Sequence, residues 1–399
     1  MAVLLLLGFS SGLPLALTFG TLQAMFKDAG MSLSEIGAVT LIGLPYTIKF
    51  LWAPLFDWFT PPFLGRRRGW LLITQFALIG AIALMSSFDP TTQTVPLVLS
   101  ALLVAFLSAS QDIAVDGYRS DILEPSELGA GASVSVLGYR LGMLVSGSFA
   151  LVLSDHFPWQ TVYTFMAPCM IVGVLAVIWS GPEPKITPPR TLTEAVVSPF
   201  VAFFRDKGLQ GTILLLSLII LYKLPDALGG AMTTPFLMDI GFAKTDIGVM
   251  NKGVGLLATI LGGLLGGGIL AGIGLYRSLW VFGILQGVSN LVFTGLALAG
   301  PSTLGLFLAV GIENLSGGMG STAFVALLMS LTQRQYSATQ YALFSSLATI
   351  TSRVVGPAAG SLAETLHFPV FYAVSALGMI PGLVLLWVGR RYIKNNKGV

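Results

Sequence analysis

The sequence predicts an all-α polytopic membrane protein with twelve transmembrane helices, and three observations support this fold class. Of the 399 residues, 54% are apolar and only 10% are charged, whereas soluble domains carry about 25% charged residues. Apolar runs near the roughly 20 residues that a spanning helix needs recur along the whole chain. The 21 basic and 18 acidic residues nearly balance. This composition excludes nucleic-acid binders, disulfide-stapled scaffolds and cytosolic enzymes.

The predicted spans are apolar runs bounded by short polar segments. They cover residues 2–26, 33–56, 70–88, 96–118, 130–154, 160–180, 209–237, 246–271, 278–299, 304–330, 339–365 and 370–389. The first run resembles a signal peptide, but it lacks the positively charged start that a signal peptide needs. We therefore interpret it as the first transmembrane helix.

The basic residues of the connections predict the orientation. Fourteen of the 21 Lys and Arg residues fall on the side that carries both chain ends, and five lie within spans. Only Lys27 and Lys244 fall on the other side. Both termini are therefore expected in the cytoplasm.

The longest connection divides the chain into two parts. It holds five prolines between Pro182 and Pro199, and its second half, from Leu192 to Phe204, predicts an amphipathic segment at the cytoplasmic interface. We predict a six-helix bundle over residues 1–181, a linker over 182–208, a second six-helix bundle over 209–390 and a basic cytoplasmic tail over 391–399.

The two predicted bundles share a weak internal repeat. Asp28-Ala-Gly recurs 211 residues later as Asp239-Ile-Gly, and the same offset relates Arg66 to Arg277. Two parallel six-helix halves related by a pseudo-two-fold axis are the construction of major facilitator transporters. In that fold the substrate site is expected between the halves, near the middle of the membrane.

The connection between the second and third spans resembles the major facilitator signature. A helix-ending Asp57 is followed by Gly65-Arg66-Arg67-Arg68-Gly69. These four charged residues are candidates for gating, because they can tie helix ends together in one state and release them in another. The alternative is simple anchoring by positive charge on the cytoplasmic side.

Apart from residues near span ends such as Glu364, nine ionisable residues lie inside predicted spans, where charge is costly and usually faces a cavity or a partner. They are Lys49, Asp112, Asp116, Arg140, Lys223, Asp226, Lys252, Glu313 and Arg353. Lys223 and Asp226 share a helical face, either as a structural pair or as a pair that a proton or the substrate separates.

The carboxylates among them are candidate proton carriers. Asp112 and Asp116 lie on one face and repel each other, although Asp116 has Arg67 and Arg119 as alternative partners. Glu313, followed by Asn314, is a further proton-site candidate.

Two arginines occupy corresponding places in the two bundles. Arg140 and Arg353 lie 213 residues apart. Each is expected either to hold an anionic group of a substrate or to pair with Asp112, Asp226 or Glu313.

Motifs that would indicate other chemistry are present only without the structural context that they require, or are absent. Gly8-Phe-Ser-Ser-Gly12 matches a nucleophile elbow but follows no strand, and no Gly-Lys-Ser/Thr exists for a phosphate-binding loop. The paired spacing of Gly262 and Gly266 predicts close helix packing. The single cysteine, Cys169, makes no disulfide within the chain. We therefore expect no metal, no cofactor and no enzymatic activity.

Segments along the whole chain resemble the AmpG-type muropeptide permease family. They include Phe50-Leu-Trp-Ala-Pro, Pro61-Pro-Phe-Leu-Gly-Arg-Arg-Arg-Gly-Trp70, Ser108-Ala-Ser-Gln-Asp112, Leu221-Tyr-Lys-Leu-Pro-Asp226, Glu313-Asn-Leu-Ser-Gly-Gly-Met-Gly320 and Ser337-Ala-Thr-Gln340. The resemblance implies proton-driven import of N-acetylglucosaminyl-1,6-anhydro-N-acetylmuramic acid and its peptides across the bacterial inner membrane. It further implies cell-wall recycling and signals that induce β-lactamase.

The resemblance implies site roles for Ser110, Gln111, Asp112, Lys223, Asp226, Asn251, Lys252, Glu313 and Asn314, and the other intramembrane charges and Tyr139 complete the candidate site. Asp112, Asp116, Asp226 and Glu313 are the expected proton-coupling groups. The expected substrate-binding residues are Lys49, Ser110, Gln111, Tyr139, Arg140, Lys223, Asn251, Lys252, Asn314 and Arg353. Pro225 stands where relatives often have Gly, and it is expected to kink the seventh span. The chain is expected to act as a monomer, without nucleic acid.

Three alternatives remain at this point. A transporter of the same fold for acetyl-CoA would need a basic cavity, whereas five cations face four anions in the spans. A membrane sensor would bind muropeptides without moving them. An intramembrane enzyme is the third.

Overall fold

The computed structural model describes residues 1–32 and 39–394, without the side chains at positions 39, 40, 244, 245, 252, 352, 353, 356, 357 and 394. The described part of the chain consists of helices and the connections between them and contains no β-strand. The predicted all-α class is confirmed.

The α-helices are numbered here in chain order. They are α1 (Ala2–Thr18), α2 (Gly20–Asp28), α3 (Leu44–Ile48), α4 (Ala53–Trp58), α5 (Arg66–Met85), α6 (Thr94–Ile122), α7 (Leu128–Met143), α8 (Ala150–Ser154), α9 (Trp159–Met166), α10 (Ile171–Trp179), α11 (Leu192–Leu221), α12 (Leu224–Asp239), α13 (Lys244–Met250), α14 (Leu256–Ile273), α15 (Leu275–Ala299), α16 (Thr303–Leu331), α17 (Ser337–Leu377), α18 (Met379–Val388) and α19 (Arg390–Lys394). Short 3-10 turns cover Val39–Gly43, Lys49–Leu51, Pro125–Glu127, Ala167–Met170 and Arg334–Tyr336, and π turns cover Leu144–Phe149 and Asn251–Gly255.

Ten ranges of the described chain are long and apolar enough to cross a membrane, and they account for most predicted spans. The second predicted span, 33–56, differs. Its first residues lie outside the described chain, and from Val39 it consists of short helical pieces that include α3 and α4, each with a proline in its first turn. The last two predicted spans follow one another in α17 and α18, with a helix break at His367, whose φ is 58°.

The chain folds into two compact units, which are not the two chain halves. Unit 1 comprises Met1–Leu123, Val134–Pro199 and Thr332–Ser346, and unit 2 comprises Glu124–Ser133, Phe200–Leu331 and Leu347–Val399. Unit 1 therefore includes the start of α17, which the sequence places in the second bundle. The cause is a buried ionic network, described below, that binds this segment.

Within unit 1, helices α1 and α7 pack backbone against backbone. This contact depends on two Gly-x-x-x-Gly pairs, Gly8 with Gly12 and Gly138 with Gly142. A Cβ on Gly12 would overlap the carbonyl oxygen of Tyr139, and one on Gly138 would overlap that of Leu5. Only glycine allows this close approach of two membrane helices.

Substituting Gly12→Val is therefore expected to destabilise unit 1 strongly. The new side chain meets backbone, which cannot move aside, so the free energy of unfolding falls by about 3 kcal/mol, the upper end of the overpacking range. Gly80→Val is the matched control, because a Cβ on Gly80 meets nothing within 4 Å. Thermal unfolding in detergent measures both, and equal melting temperatures would contradict this packing.

Unit 2 contains a second backbone contact of this type, between α14 and α16. A Cβ on Gly262 would overlap the carbonyl oxygen of Leu315, and one on Gly266 would lie 2.8 Å from the Cα of Met319. The prediction that these glycines allow close helix packing is confirmed.

The seventh predicted span is preceded by a separate helical segment and is itself broken. Gly208, with a φ of 69°, separates residues 192–207 of α11 from the apolar helix that follows. The helix ends again at Leu221, and α12 begins at Leu224 with Pro225 in its first turn. The expected kink beside Lys223 and Asp226 is therefore confirmed.

Candidate functional site

A buried ionic network surrounds Asp57 in unit 1. Asp57 is 0% exposed, and its carboxylate accepts a hydrogen bond from Nη2 of Arg67 at 2.5 Å. It also accepts the backbone N–H of Thr339 at 2.8 Å and the Thr339 hydroxyl at 2.6 Å. The end of α4 is thereby tied to the start of α17.

Asp121 provides the second carboxylate of this network. Nε of Arg67 donates to Asp121 at 2.9 Å, and Nη2 of Arg66 donates to the same oxygen at 3.2 Å. The Ser337 hydroxyl donates to Asp121 at 2.6 Å and accepts from Arg67 at 2.8 Å. We call Asp57, Arg66, Arg67, Asp121, Ser337 and Thr339 the Asp57 network. Two arginines and two aspartates balance each other's charge, as buried ions require.

Arg68 lies outside the Asp57 network, unlike the other signature residues. Its Nη2 donates to the backbone carbonyl of Val177 at 3.2 Å. Glu183, from the linker, accepts the backbone N–H groups of Arg67 at 2.8 Å and of Arg68 at 3.2 Å, and so caps the start of α5. The structure therefore divides the four predicted gating residues into three network members and one neighbour.

Asp116 lies in a separate ionic cluster of unit 1. Arg119 donates to Asp116 at 2.8 Å and to the Tyr341 hydroxyl at 2.7 Å, while Lys49 lies 3.5 Å from Asp116. Of the two partners considered for Asp116, Arg119 is confirmed, and Arg67 is held by the Asp57 network instead.

Ser110 and Gln111 join helices within unit 1. Nε1 of Trp52 donates to the Ser110 hydroxyl at 3.0 Å. Gln111 is 0% exposed, and its Nε2 lies 3.4 Å from the hydroxyl of Ser10 on α1. Both expected substrate-binding side chains thus have protein partners.

Asp112 and Arg140 are the two predicted intramembrane charges of unit 1 that are half-buried and form no ion pair within the described part of the chain. Asp112 is under the electrostatic influence of Lys49, Asp116 and Arg119. Nη1 of Arg140 lies 4.0 Å from the sulfur of Met143. Among the side chains described, Arg140 therefore pairs with no carboxylate. Such a pair was one of the two alternatives that the sequence left open for this arginine. Its neighbour Tyr139 is half-buried.

Unit 2 contains the predicted pair between Lys223 and Asp226. Nζ of Lys223 donates to Asp226 at 2.8 Å and to the Ser321 hydroxyl at 3.2 Å. Nε2 of Gln286 donates to the same Asp226 oxygen at 3.2 Å. The side chains of Lys223 and Asp226 remain 18% and 31% exposed, so the pair is accessible as well as formed.

Two further polar candidates of unit 2, Glu313 and Asn314, lie next to each other on α16. Glu313 is half-buried, forms no ion pair in the described structure, and lies within electrostatic range of Asp226. Asn314 accepts the Thr259 hydroxyl at 3.1 Å and donates to the Val310 carbonyl at 2.9 Å.

Of the three remaining candidates, one has a described side chain and two do not. Asn251 is half-buried and opens the π turn Asn251–Gly255. Lys252 lies in this turn and Arg353 in α17, and both side chains are outside the described residues. Among the residues that the structure describes, no group of three or more His, Cys, Asp or Glu residues is arranged to hold a metal ion.

Several contacting residues were not predicted from the sequence. Asp121, Ser337 and Thr339 complete the Asp57 network, and Gln286 contacts Asp226. Ser337 and Thr339 lie in the family-like segment Ser337-Ala-Thr-Gln340, and Gln286 lies in a second one, Phe282-Gly-Ile-Leu-Gln-Gly287. Asp121 carried no such signal.

The family model and the curated relatives that match this chain agree on one family. The model of the Major Facilitator Superfamily matches residues 4–357. The chain is 48% identical to "Anhydromuropeptide permease" of Escherichia coli (strain K12), over 99% of this chain and 81% of that protein. It is 38% identical to an uncharacterized protein of Haemophilus influenzae, covering 98% and 94%, and 32% identical to "Putative transporter AmpG 4" of Rickettsia felis, covering 96% and 94%.

Solved structures show the same fold at low identity. The major facilitator transporter FucP, in its outward conformation, has a TM-score of 0.73 at 11% identity, covering 97% of this chain and 98% of that one. The human organic anion transporter MFSD10 has a TM-score of 0.71 at 15% identity, covering 96% and 98%.

Proposed function

Because this chain belongs to the major facilitator superfamily and, within it, to the family of the anhydromuropeptide permeases, we propose that it is a proton-coupled symporter for anhydromuropeptides. It is a multi-pass membrane transporter and not an enzyme. The proposed cargo is N-acetylglucosaminyl-1,6-anhydro-N-acetylmuramic acid, with or without its peptide, and the proposed direction is import by alternating access. The observation that supports this cargo is the 48% identity to an anhydromuropeptide permease over 99% of the chain.

The intramembrane charges support a role for protons. Asp112 and Glu313 are half-buried carboxylates, and Asp226 binds a partly exposed Lys223. A carboxylate with this exposure can exchange a proton with water, and its charge changes the balance of its cluster when it does so. We assign proton coupling to Asp112, Asp226 and Glu313, with Asp116 as a less accessible member because Arg119 and Lys49 already bind it.

The same clusters offer groups for the cargo. A muropeptide carries peptide carboxylates, sugar hydroxyls and, on its diamino acid, an ammonium group. Arg140, which no carboxylate engages in the described structure, is the proposed partner for a peptide carboxylate, with Tyr139 beside it. Lys223 and Asn251 are proposed for unit 2. Lys49, Ser110, Gln111, Lys252, Asn314 and Arg353 remain candidates for contacts with the cargo.

We propose a bacterial inner-membrane location with both termini in the cytoplasm. The support is the distribution of basic residues, which collect on the side of Arg66, Arg67 and Arg68. In this orientation the Asp57 network lies at the cytoplasmic ends of its helices. Release of cargo into the cytoplasm then requires the network to open.

The first experiment measures uptake of labelled anhydro-disaccharide tripeptide into proteoliposomes, with and without an inward proton gradient. Accumulation above the outside concentration only with the gradient is the expected result. Equilibration without accumulation would overturn proton coupling and leave a uniporter. Binding without uptake would indicate a sensor, and uptake of acetyl-CoA in place of the muropeptide would overturn the cargo.

A further inference from the structure

Two fully buried glutamines lie at repeat-related positions in the two chain halves. Gln75 on α5 and Gln286 on α15 are 211 residues apart, the offset that also relates Arg66 to Arg277. Both are 0% exposed. In each, Nε2 donates a hydrogen bond, while Oε1 is buried without a partner among the residues described. A buried amide with an unused acceptor is unusual enough to require an explanation.

The two amides are held in place in the same way. Each packs against a glycine on another helix, Gly173 for Gln75 and Gly320 for Gln286. A Cβ on either glycine would overlap the amide nitrogen. The pair therefore shares burial, helix position and packing, and differs in what the amide nitrogen binds.

The partner of Gln75 is neutral and that of Gln286 is charged. Nε2 of Gln75 donates to the Ser10 hydroxyl at 2.8 Å. Nε2 of Gln286 donates to Asp226 at 3.2 Å, on the same oxygen that Lys223 binds at 2.8 Å. A hydrogen bond to a carboxylate is worth roughly twice a neutral one.

A second amide on α15 supports this contact from one turn away. Nδ2 of Asn290 donates to the backbone carbonyl of Pro225 at 3.1 Å. Gln286 and Asn290 are four residues apart and therefore lie on one face of α15. Together they fix the first turn of α12, where the chain resumes its helix after the break before Leu224.

We propose that Gln286 is a positioning residue that holds Asp226 and stabilises its charged form, so that it sets the pH range over which Asp226 exchanges its proton. This inference rests on the proposed role of Asp226 in proton coupling. The unused Oε1 gives the amide a second role: after a 180° rotation it accepts the hydroxyl hydrogen of a protonated Asp226. One side chain then serves both protonation forms.

The other titratable groups around Asp226 stay the same when Gln286 is replaced. They are Lys223 in the same segment, Tyr222 at the end of the preceding helix, and Glu313 from α16. Replacing Gln286 with methionine keeps the volume and removes the donor without changing any charge. A displaced pH profile then reports the lost hydrogen bond.

The test compares Gln286→Met with the matched control Gln75→Met. In proteoliposomes, the pH at half-maximal uptake moves toward alkaline pH by about one unit in Gln286→Met, because the charged form of Asp226 loses a hydrogen bond about twice as strong as the one that the protonated form loses. In Gln75→Met it stays at the wild-type value, although both variants lose a buried amide. Gln286→Asn, whose shorter side chain withdraws the donor, serves where the methionine variant does not fold, and the same displacement is expected.

A measurement without cargo separates this inference from the proposed function. Infrared spectra of the purified protein are recorded across the pH range, and the carboxyl band that Asp226→Asn removes is assigned to Asp226. Its titration moves in Gln286→Met and not in Gln75→Met. An unchanged band and pH profile in both glutamine variants would overturn the inference, whereas absent uptake with a shifted band would overturn only the function.

Discussion

The variant Asp57→Asn is expected to lose nearly all uptake. Asp57 is fully buried and binds Arg67 and Thr339, so the amide leaves Asp121 as the one carboxylate that balances the buried guanidinium groups of Arg66 and Arg67. Breaking one partner of a buried ion pair costs about 3–5 kcal/mol. The transport cycle must pass through the conformation that this network stabilises. Even the lower of these costs reduces the population of that conformation about 100-fold. Initial uptake rates in proteoliposomes measure the effect.

Arg68→Ala is the matched control for this experiment. Arg68 belongs to the same basic run, but its guanidinium bonds the carbonyl of Val177 and not a carboxylate of the Asp57 network. We expect its uptake rate to stay within about threefold of wild type, because the substitution removes a hydrogen bond to a neutral carbonyl and leaves no buried carboxylate without its counter-charge. If Asp57→Asn and Arg68→Ala have similar rates, positive charge on this side matters for anchoring and the network does not gate.

The second large effect is expected for Asp226→Asn, which should abolish accumulation driven by the proton gradient. The substitution removes a proposed proton carrier and leaves Lys223, only 18% exposed, with Ser321 as its remaining hydrogen-bond partner among the described contacts. We expect accumulation to fall by about 100-fold or more. Counterflow of labelled cargo without a gradient, which needs no net proton movement, should fall less.

A double variant separates proton coupling from simple charge pairing. Lys223→Gln with Asp226→Asn replaces the ion pair by two neutral side chains, which removes the unpaired charge. If Asp226 carries the proton, folding recovers and accumulation does not. Recovery of full accumulation would mean that the pair is structural. Asp206→Asn is the control, because the Lys207–Asp206 pair has the same 2.8 Å distance while Asp206 is 52% exposed.

The sequence was sufficient for the helices and for contacts between neighbours along the chain. Lys223 and Asp226 are three residues apart, a spacing that brings the two side chains together at the start of α12, and Asp116 with Arg119 follows the same rule within α6. Glycine spacing likewise indicated the contact of α14 with α16. In each case a local pattern determines the structure.

The contacts that join distant segments could not be predicted in this way. Ser337 and Thr339 bind Arg67 and Asp57 across 270 and 282 residues. Nothing in the chemistry of a serine or threonine indicates such a partner. The same holds for Gln286, which is one polar residue in an apolar helix until the fold brings Asp226 to it. The broken second span also departs from a single helix, because Pro45 and Pro54 each begin a short one.

The participation of residues 332–346 in unit 1 has a consequence for biosynthesis. Ser337 leaves the ribosome 270 residues after Arg67. At about 5–20 residues per second this interval lasts roughly 14–54 s, during which Arg67, Asp57 and Asp121 lack their late partners. A chain that stops before this segment keeps those polar groups unsatisfied. Prematurely terminated chains should therefore be degraded by membrane quality-control proteases and should not accumulate as half-transporters.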